Sequence, residues 1–195
     1  METNLYRLGK ERWNQTDSYH KEWDERNGKL ISLLEHSGVN IDEFSFSEYG
    51  CGPNKPFSKL LKRDLDLKTL ALDLKKWDDY TISIDLDKTS EQAPLSTVGV
   101  LSGVMEYLKS PSDTLTILSK KHQYLLLSYR IFQFKSDSSI ESYSKALSDR
   151  AKKGWKNHMS LEACLSCINS FGFIVQSDVW QKQSLFLLKS WNSED

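Results

Sequence analysis

Glu48, Gly50 and Gly52 are spaced two apart in Glu48-Tyr-Gly50-Cys51-Gly52-Pro-Asn54. The run follows an alternating Phe44-Ser-Phe-Ser stretch that reads as a strand, and it precedes Pro56, which suits the first turn of a helix over Phe57 to Arg63. Glycines so placed permit a tight turn and let backbone N–H groups approach a ligand beside a helix N-terminus. Further carboxylates close later β-rich runs: Asp73 after Thr69-Leu-Ala-Leu, and Asp85 or Asp87 after Tyr80-Thr-Ile-Ser-Ile. A carboxylate accepts hydrogen bonds from paired hydroxyls or from an amino group. The dinucleotide fingerprint needs a third glycine three residues after the second, where Lys55 stands before Pro56. That departure disfavours nicotinamide and flavin chemistry, and no Gly-Lys-Ser/Thr follows to make a P-loop.

Other reactive residues read as structural. Cys164-x-x-Cys167 has no second pair, and Cys164 falls in the apolar stripe Leu161, Cys164, Leu165, Ile168, so packing is the expected role and no metal site is expected. His20, His36 and His122 are scattered and read as surface residues.

The elements that must position these groups alternate. A helix is predicted over Tyr19 to His36, with Trp23, Leu30, Leu33 and Leu34 on one face and Gly38 as its stop. Strands are predicted at Val98 to Ser102 and Gln123 to Tyr129, with a short helix over Ser112 to Ser119 between them. Phe132 to Trp155 reads as partly helical. A helix capped by Ser160 follows, with Gly172 as its end, and then Phe173-Ile-Val and Ser184-Leu-Phe-Leu-Leu as an antiparallel pair. Strands alternating with helices argue for a mostly parallel sheet covered on both faces. Ligands of such sheets bind at the carboxyl ends of the strands, where Glu48, Asp73, Asp85 or Asp87, and Ser102 are expected.

Composition narrows the partners. The 195 residues carry 26 Lys plus Arg against 27 Asp plus Glu, a net charge of −1. Nonspecific binding to nucleic acid or to an anionic membrane is therefore not expected. The longest apolar stretch, Val98 to Met105, has eight residues, against the roughly 20 of a membrane span. With 11% aromatics the chain has the large side chains for one core. No signal segment is apparent, and three cysteines at no disulfide spacing fit a reducing, cytoplasmic compartment. A single domain over residues 1–195 is expected, with 1–40 as an N-terminal helical cap and 41–191 as sheet and helices.

At this point the motifs resemble a family. Glu48-x-Gly50-x-Gly52 is similar to motif I of the class I S-adenosylmethionine-dependent methyltransferases, and Asp73, twenty-five residues on, matches the acidic end of that family's second strand. Asp85 and Asp87 lie where its third-strand acid is expected. Val98-Gly-Val-Leu-Ser-Gly-Val-Met-Glu-Tyr-Leu108 is similar to its fourth-strand signature, with Thr97 where an Asp often stands. His158-Met-Ser-Leu-Glu162 through Phe171-Gly-Phe-Ile-Val175 resembles its last helix and sixth strand.

The resemblance implies a Rossmann-like, doubly wound α/β sheet of about seven strands, mostly parallel with an antiparallel last strand and helices on both faces. It implies S-adenosyl-L-methionine as cofactor, with Asp73 accepting from the ribose hydroxyls, Asp85 or Asp87 from the adenine amino group, and Leu74 and Leu86 beside them. Glu48, Gly50, Cys51 and Gly52 would lie by the amino-acid portion, near Ser102 and Gly103, while Tyr19 and Trp23 would cover the site from the first helix. His158 as base and Glu106 as a substrate-facing acid are the catalytic expectations. Neither an Asn/Asp-Pro-Pro-aromatic loop nor a Pro-Cys pair is present, so a small-molecule acceptor, a sugar or secondary metabolite, is expected rather than nucleic acid. A silent binding or scaffold protein on the same fold is the alternative, and a nicotinamide-dependent oxidoreductase a weaker one.

Overall fold

The structure is a computed structural model and describes residues 21–133 and 139–193. Along the chain run α1 (Glu22–Glu35), β1 (Phe46–Tyr49), α2 (Pro56–Leu65), β2 (Thr69–Asp73), β3 (Thr81–Ser83), β4 (Ser96–Leu101), α3 (Pro111–Leu118), β5 (His122–Tyr129), α4 (Ile140–Lys152), α5 (Leu161–Ile168), β6 (Gly172–Trp180) and β7 (Gln183–Ser190). The seven strands form one sheet in the order β3-β2-β1-β4-β5-β7-β6. β1 to β5 are mutually parallel, and β7 runs antiparallel to both β5 and β6. The expected doubly wound, mostly parallel sheet is the observed one.

Parallel strands need cover on both faces, and the side-chain period of two divides each strand between two cores. On β5, Tyr124 and Leu126 join α1 and α2 through Leu30, Leu34, Phe57 and Leu61. Leu125, Leu127 and Tyr129 point the other way, onto Leu115 and Leu118 of α3 and onto Cys164 and Ile168 of α5. The cysteines are free and buried; Cys164 packs as its stripe predicts, but Leu161 and Leu165 of that stripe are exposed and Cys167, outside it, is buried. Among the described residues, no group of His, Cys, Asp and Glu could hold a metal ion.

Several sequence expectations need correction. The alternation lapses at one edge: residues 74–80 join β2 to β3 without a helix, and only a 3₁₀ turn, Ser90–Gln92, lies between β3 and β4. Gly172 opens β6 rather than ending α5; a Cβ there would lie 1.7 Å from the Lys189 carbonyl oxygen, so the close cross-strand approach demands glycine. β6 is longer than its Phe173-Ile-Val segment and turns into β7 within two residues, with Gln181 at φ 52°. His122 is buried, not on the surface, bonded to the Tyr49 hydroxyl (2.8 Å) and to Ser96. His20 lies outside the described residues, and His36 is exposed.

The parallel register brings the carboxyl ends of β1 to β4 to one edge of the sheet. Thr97 is at the other edge, where its N–H donates to the Ser45 hydroxyl (2.9 Å). Its departure from the family pattern therefore falls away from the strand ends that carry the site.

Candidate cofactor site

A cavity of about 480 Å³ opens over those strand ends. The turn after β1 supplies its floor. Gly50 and Gly52 have φ of 65° and 61°, in the left-handed region that glycine enters without strain. A Cβ on Gly50 would also meet Val104 Cγ2 at 2.6 Å. The turn is tied to β2, because Cys51 N–H donates to the Leu72 carbonyl (3.1 Å) and Gly52 N–H donates to Asp73 Oδ2 (2.8 Å).

Glu48 is buried under this turn and accepts from Phe57 N–H (3.2 Å) and Ser58 N–H (3.0 Å), and from the Ser58 hydroxyl. It thereby satisfies donors in the first turn of α2, which its own N-terminal residues leave unmet. Burial outweighs these bonds and pushes the Glu48 carboxyl up to about 7.

Asp73 accepts from Gly52 through one oxygen and from Lys75 N–H (3.1 Å) through the other, which leaves further lone pairs on each. Beyond β3, Asp85 accepts from Asp87 N–H (3.1 Å) and pairs with Lys88. Asp87 is more fully engaged, by Lys109 N–H (2.8 Å) and by the Lys156 ammonium. Leu74, Asp85, Leu86, Asp87, Ser102 and Gly103 all line the cavity together with Glu48, Gly50, Cys51, Gly52 and Asp73. Trp23 lines it from α1, whereas Tyr19 lies outside the described residues.

The two expected catalytic residues are not on this wall. Glu106 is buried with its carboxylate turned to the end of β5, where Oε1 accepts from Arg130 N–H (3.0 Å). Burial raises its carboxyl, while the Arg26 and Arg150 charges lower it. His158 packs its ring against Phe132, with 6.1 Å between centroids, and its buried Nδ1 has no partner. Burial and the Arg150 charge hold this imidazole below its ordinary value.

Sequence reasoning missed Arg26, Asn27, Trp77, Tyr107 and Lys156, all on the wall. The signal for the first two was present: Trp23, Arg26, Asn27, Leu30 and Leu34 follow helical spacing, so a charged and an amide residue interrupt an inward face. Arg26 Nε, Asn27 Nδ2 and Trp77 Nε1 are buried donors without a partner. A cavity lined by both carboxylates and bare donors fits a polar ligand bearing both hydroxyls and an acceptor group.

Comparison with solved structures gives this architecture its relatives. An O-methyltransferase family protein from Burkholderia thailandensis superposes with TM-score 0.64 and 11% identity, over 96% of this chain and 64% of that one. Human N-acetylserotonin methyltransferase in complex with S-adenosylmethionine gives TM-score 0.66 and 10% identity, over 92% of this chain and 56% of that one. The chain has the class I methyltransferase fold. The N-terminal domain of EvdMO1, solved with S-adenosylhomocysteine and D-fucose present, shares it at TM-score 0.57 and 9% identity, over 88% of this chain and 84% of that one. No family model matches the sequence, and no curated protein matches it. The likeness is therefore one of fold, and the chain spans between about half and two thirds of the length of the first two structures. Within this fold, the Gly50–Gly52 turn and the carboxylates Asp73, Asp85 and Asp87 line one cavity.

Proposed function

We propose that this cavity binds S-adenosyl-L-methionine and that the chain transfers its methyl group to a small-molecule acceptor. The observation that carries the reading is the convergence of the Gly50–Gly52 turn, Asp73, Asp85 and the Ser102–Gly103 turn on one cavity at the strand ends. The bound sulfonium supplies an activated methyl group and its own leaving group. Asp73 accepts from the ribose hydroxyls with the lone pairs that Gly52 and Lys75 leave free, and Asp85 accepts from the adenine amino group. Leu74 and Leu86 flank the base. Glu48 acts one step removed, by fixing the start of α2 and so the shape of the turn. The remaining work is to hold the acceptor in line at about 3–3.5 Å, between Trp23, Val104 and Tyr107.

A sugar or secondary-metabolite acceptor is supported by the aromatic residues Trp23, Tyr49, Trp77 and Tyr107 on the wall and by the D-fucose present with the EvdMO1 domain. The near-neutral charge speaks against nucleic acid, and no helix among the described residues is long and apolar enough to cross a membrane. Free cysteines fit a cytoplasmic setting.

The test is a ligand melt. S-adenosylhomocysteine at about 100 times its dissociation constant should add roughly 2.7 kcal/mol. For a chain of this size that is a rise of about 5–10 °C. Nicotinamide dinucleotides should give none. No shift with either S-adenosyl compound overturns the reading, and binding without turnover on any acceptor favours the silent alternative.

His158 gives a second check. Because His158 packs on Phe132 and does not line the cavity, we expect that His158→Ala keeps S-adenosylhomocysteine affinity and loses less than about tenfold in turnover per folded molecule. A drop of roughly 10²–10⁴-fold at unchanged affinity would instead make it the general base.

A further inference from the structure

We infer that Arg26 and Asn27 of α1 bind the carboxylate of the cofactor's amino-acid portion, and that the β6–β7 hairpin holds Arg26 in place for it. The inference rests on the proposed cofactor. It makes α1 the element that distinguishes S-adenosylmethionine from ligands lacking that carboxylate.

Arg26 is 6% exposed and Asn27 is fully buried, yet both line the cavity. The guanidinium donates through Nη1 to Gln183 Oε1 and through Nη2 to the Ser102 carbonyl, each at 3.3 Å. Both bonds are long, against about 2.7–3.2 Å for a good N–H···O bond. Nε has no partner. The Trp23 and Trp180 rings each lie 5.8 Å from the guanidinium carbon. Gly103 makes room for it, since a Cβ there would stand 2.7 Å from Nη1. The side chain is therefore fixed by α1, the β4 turn and the hairpin while its hydrogen-bonding capacity is underused. On Asn27, the Ser102 hydroxyl donates to Oδ1, which orients the amide and leaves Nδ2 bare.

A buried cation with an idle donor, beside a bare amide donor, calls for an anion. Within the protein the balancing charge is Glu106, itself buried and occupied by Arg130 N–H. Burial still pulls the Arg26 pKa down to about 10, so that balance is incomplete. On the proposed ligand, the ribose and adenine are neutral, the sulfonium and ammonium are cationic, and the carboxylate alone is negative. Asp73, Asp85 and Asp87, on the wall at and beyond the ends of β2 and β3, disfavour a carboxylate beside them. Arg26 and Asn27 meet the wall at Ser102, beside the Gly103 turn, and there they would hold the carboxylate.

The test compares S-adenosylmethionine with its decarboxylated form, which keeps both cationic groups, by calorimetry on the full chain. Wild type should prefer the carboxylated ligand by about 30–100-fold, the scale of one charge-assisted contact pair. Arg26→Gln should abolish most of that preference, weakening S-adenosylmethionine while the decarboxylated ligand binds within about threefold of wild type. Gln183→Ala, a milder change outside the buried stripe, should reduce the same preference by about three- to tenfold. Affinity for the decarboxylated ligand reports folding of each variant within the same experiment. Equal binding of the two ligands by wild type, or an intact preference in Arg26→Gln and Gln183→Ala, overturns this inference and leaves the proposed function standing. Binding of neither ligand by wild type overturns both.

Discussion

Asp73→Ala is expected to weaken S-adenosylhomocysteine binding by about 2–4 kcal/mol, a loss of roughly 30- to 1000-fold. The carboxylate has two tasks in the structure, and the substitution removes both. Toward the protein it accepts from Gly52 N–H and Lys75 N–H, which holds the glycine turn against the end of β2. Toward the cavity it offers its remaining lone pairs to the ribose diol, where each bond is charge-assisted. Asp73→Asn separates the tasks, because an amide oxygen still accepts from Gly52 while the charge is gone. It should lose about half as much in free energy. The strand itself is not at risk: β2 is held to β1 and β3 by a register of backbone pairs, and Ile84 N–H donates to the Asp73 backbone carbonyl (2.8 Å). Calorimetric titration alongside a melt of the unliganded protein checks this. Unchanged affinity in a folded Asp73→Ala protein would remove the ribose from Asp73 and require another orientation for the ligand.

How far the sequence foretold this site depends on whether each signal was local. β2 ends at Asp73 because a short β-rich run meets a polar connector, and that is visible within ten residues. Ser160 caps α5 as its position predicts, with Ala163 N–H donating to its hydroxyl (3.2 Å). The turn at Gly50 likewise announces itself by composition. What escaped was set by partners distant along the chain. Gly172 resembles a helix stop, but its need for glycine comes from Lys189 on the facing strand. His122 lies between two polar neighbours and reads as surface; it is buried because Tyr49 reaches it across Gly99, where a Cβ would lie 2.7 Å from its ring. Glu106 and His158 are named from their place in the chain; the contacts they make, with Arg130 N–H and with the Phe132 ring, come from residues that follow β5. Arg26 and Asn27 carried a local signal, polar residues on an inward helix face, whose meaning appears only when Ser102 and Gln183 are brought beside them.

Two buried groups give the fold a pH dependence of opposite signs. The neutral His122 ring is bonded at both nitrogens, to Tyr49 and to Ser96, and burial lowers its pKa from 6.5 to about 4. Between those values the unfolded chain binds a proton that the folded chain refuses, so stability falls as pH drops. Glu48 does the reverse: its pKa is raised from 4.5 to about 7, the folded chain keeps a proton that the unfolded chain releases, and stability falls as pH rises through that window. Each slope is about 1.4 kcal/mol per pH unit where its window is fully open. The two windows overlap, so in wild type these terms largely cancel. Glu106, also raised by burial, adds to the Glu48 sense in every variant and drops out of the differences. Urea unfolding across pH 4 to 7 should therefore separate them. The stability of wild type relative to His122→Gln is expected to grow by about 3 kcal/mol as pH rises from 4 to 6.5. Relative to Glu48→Gln it is expected to shrink by about 3 kcal/mol between pH 4.5 and 7. A pH-independent offset for either variant would mean that its group titrates alike in the folded and unfolded chains, and that its burial is relieved by water reaching the Tyr49 ring or the start of α2.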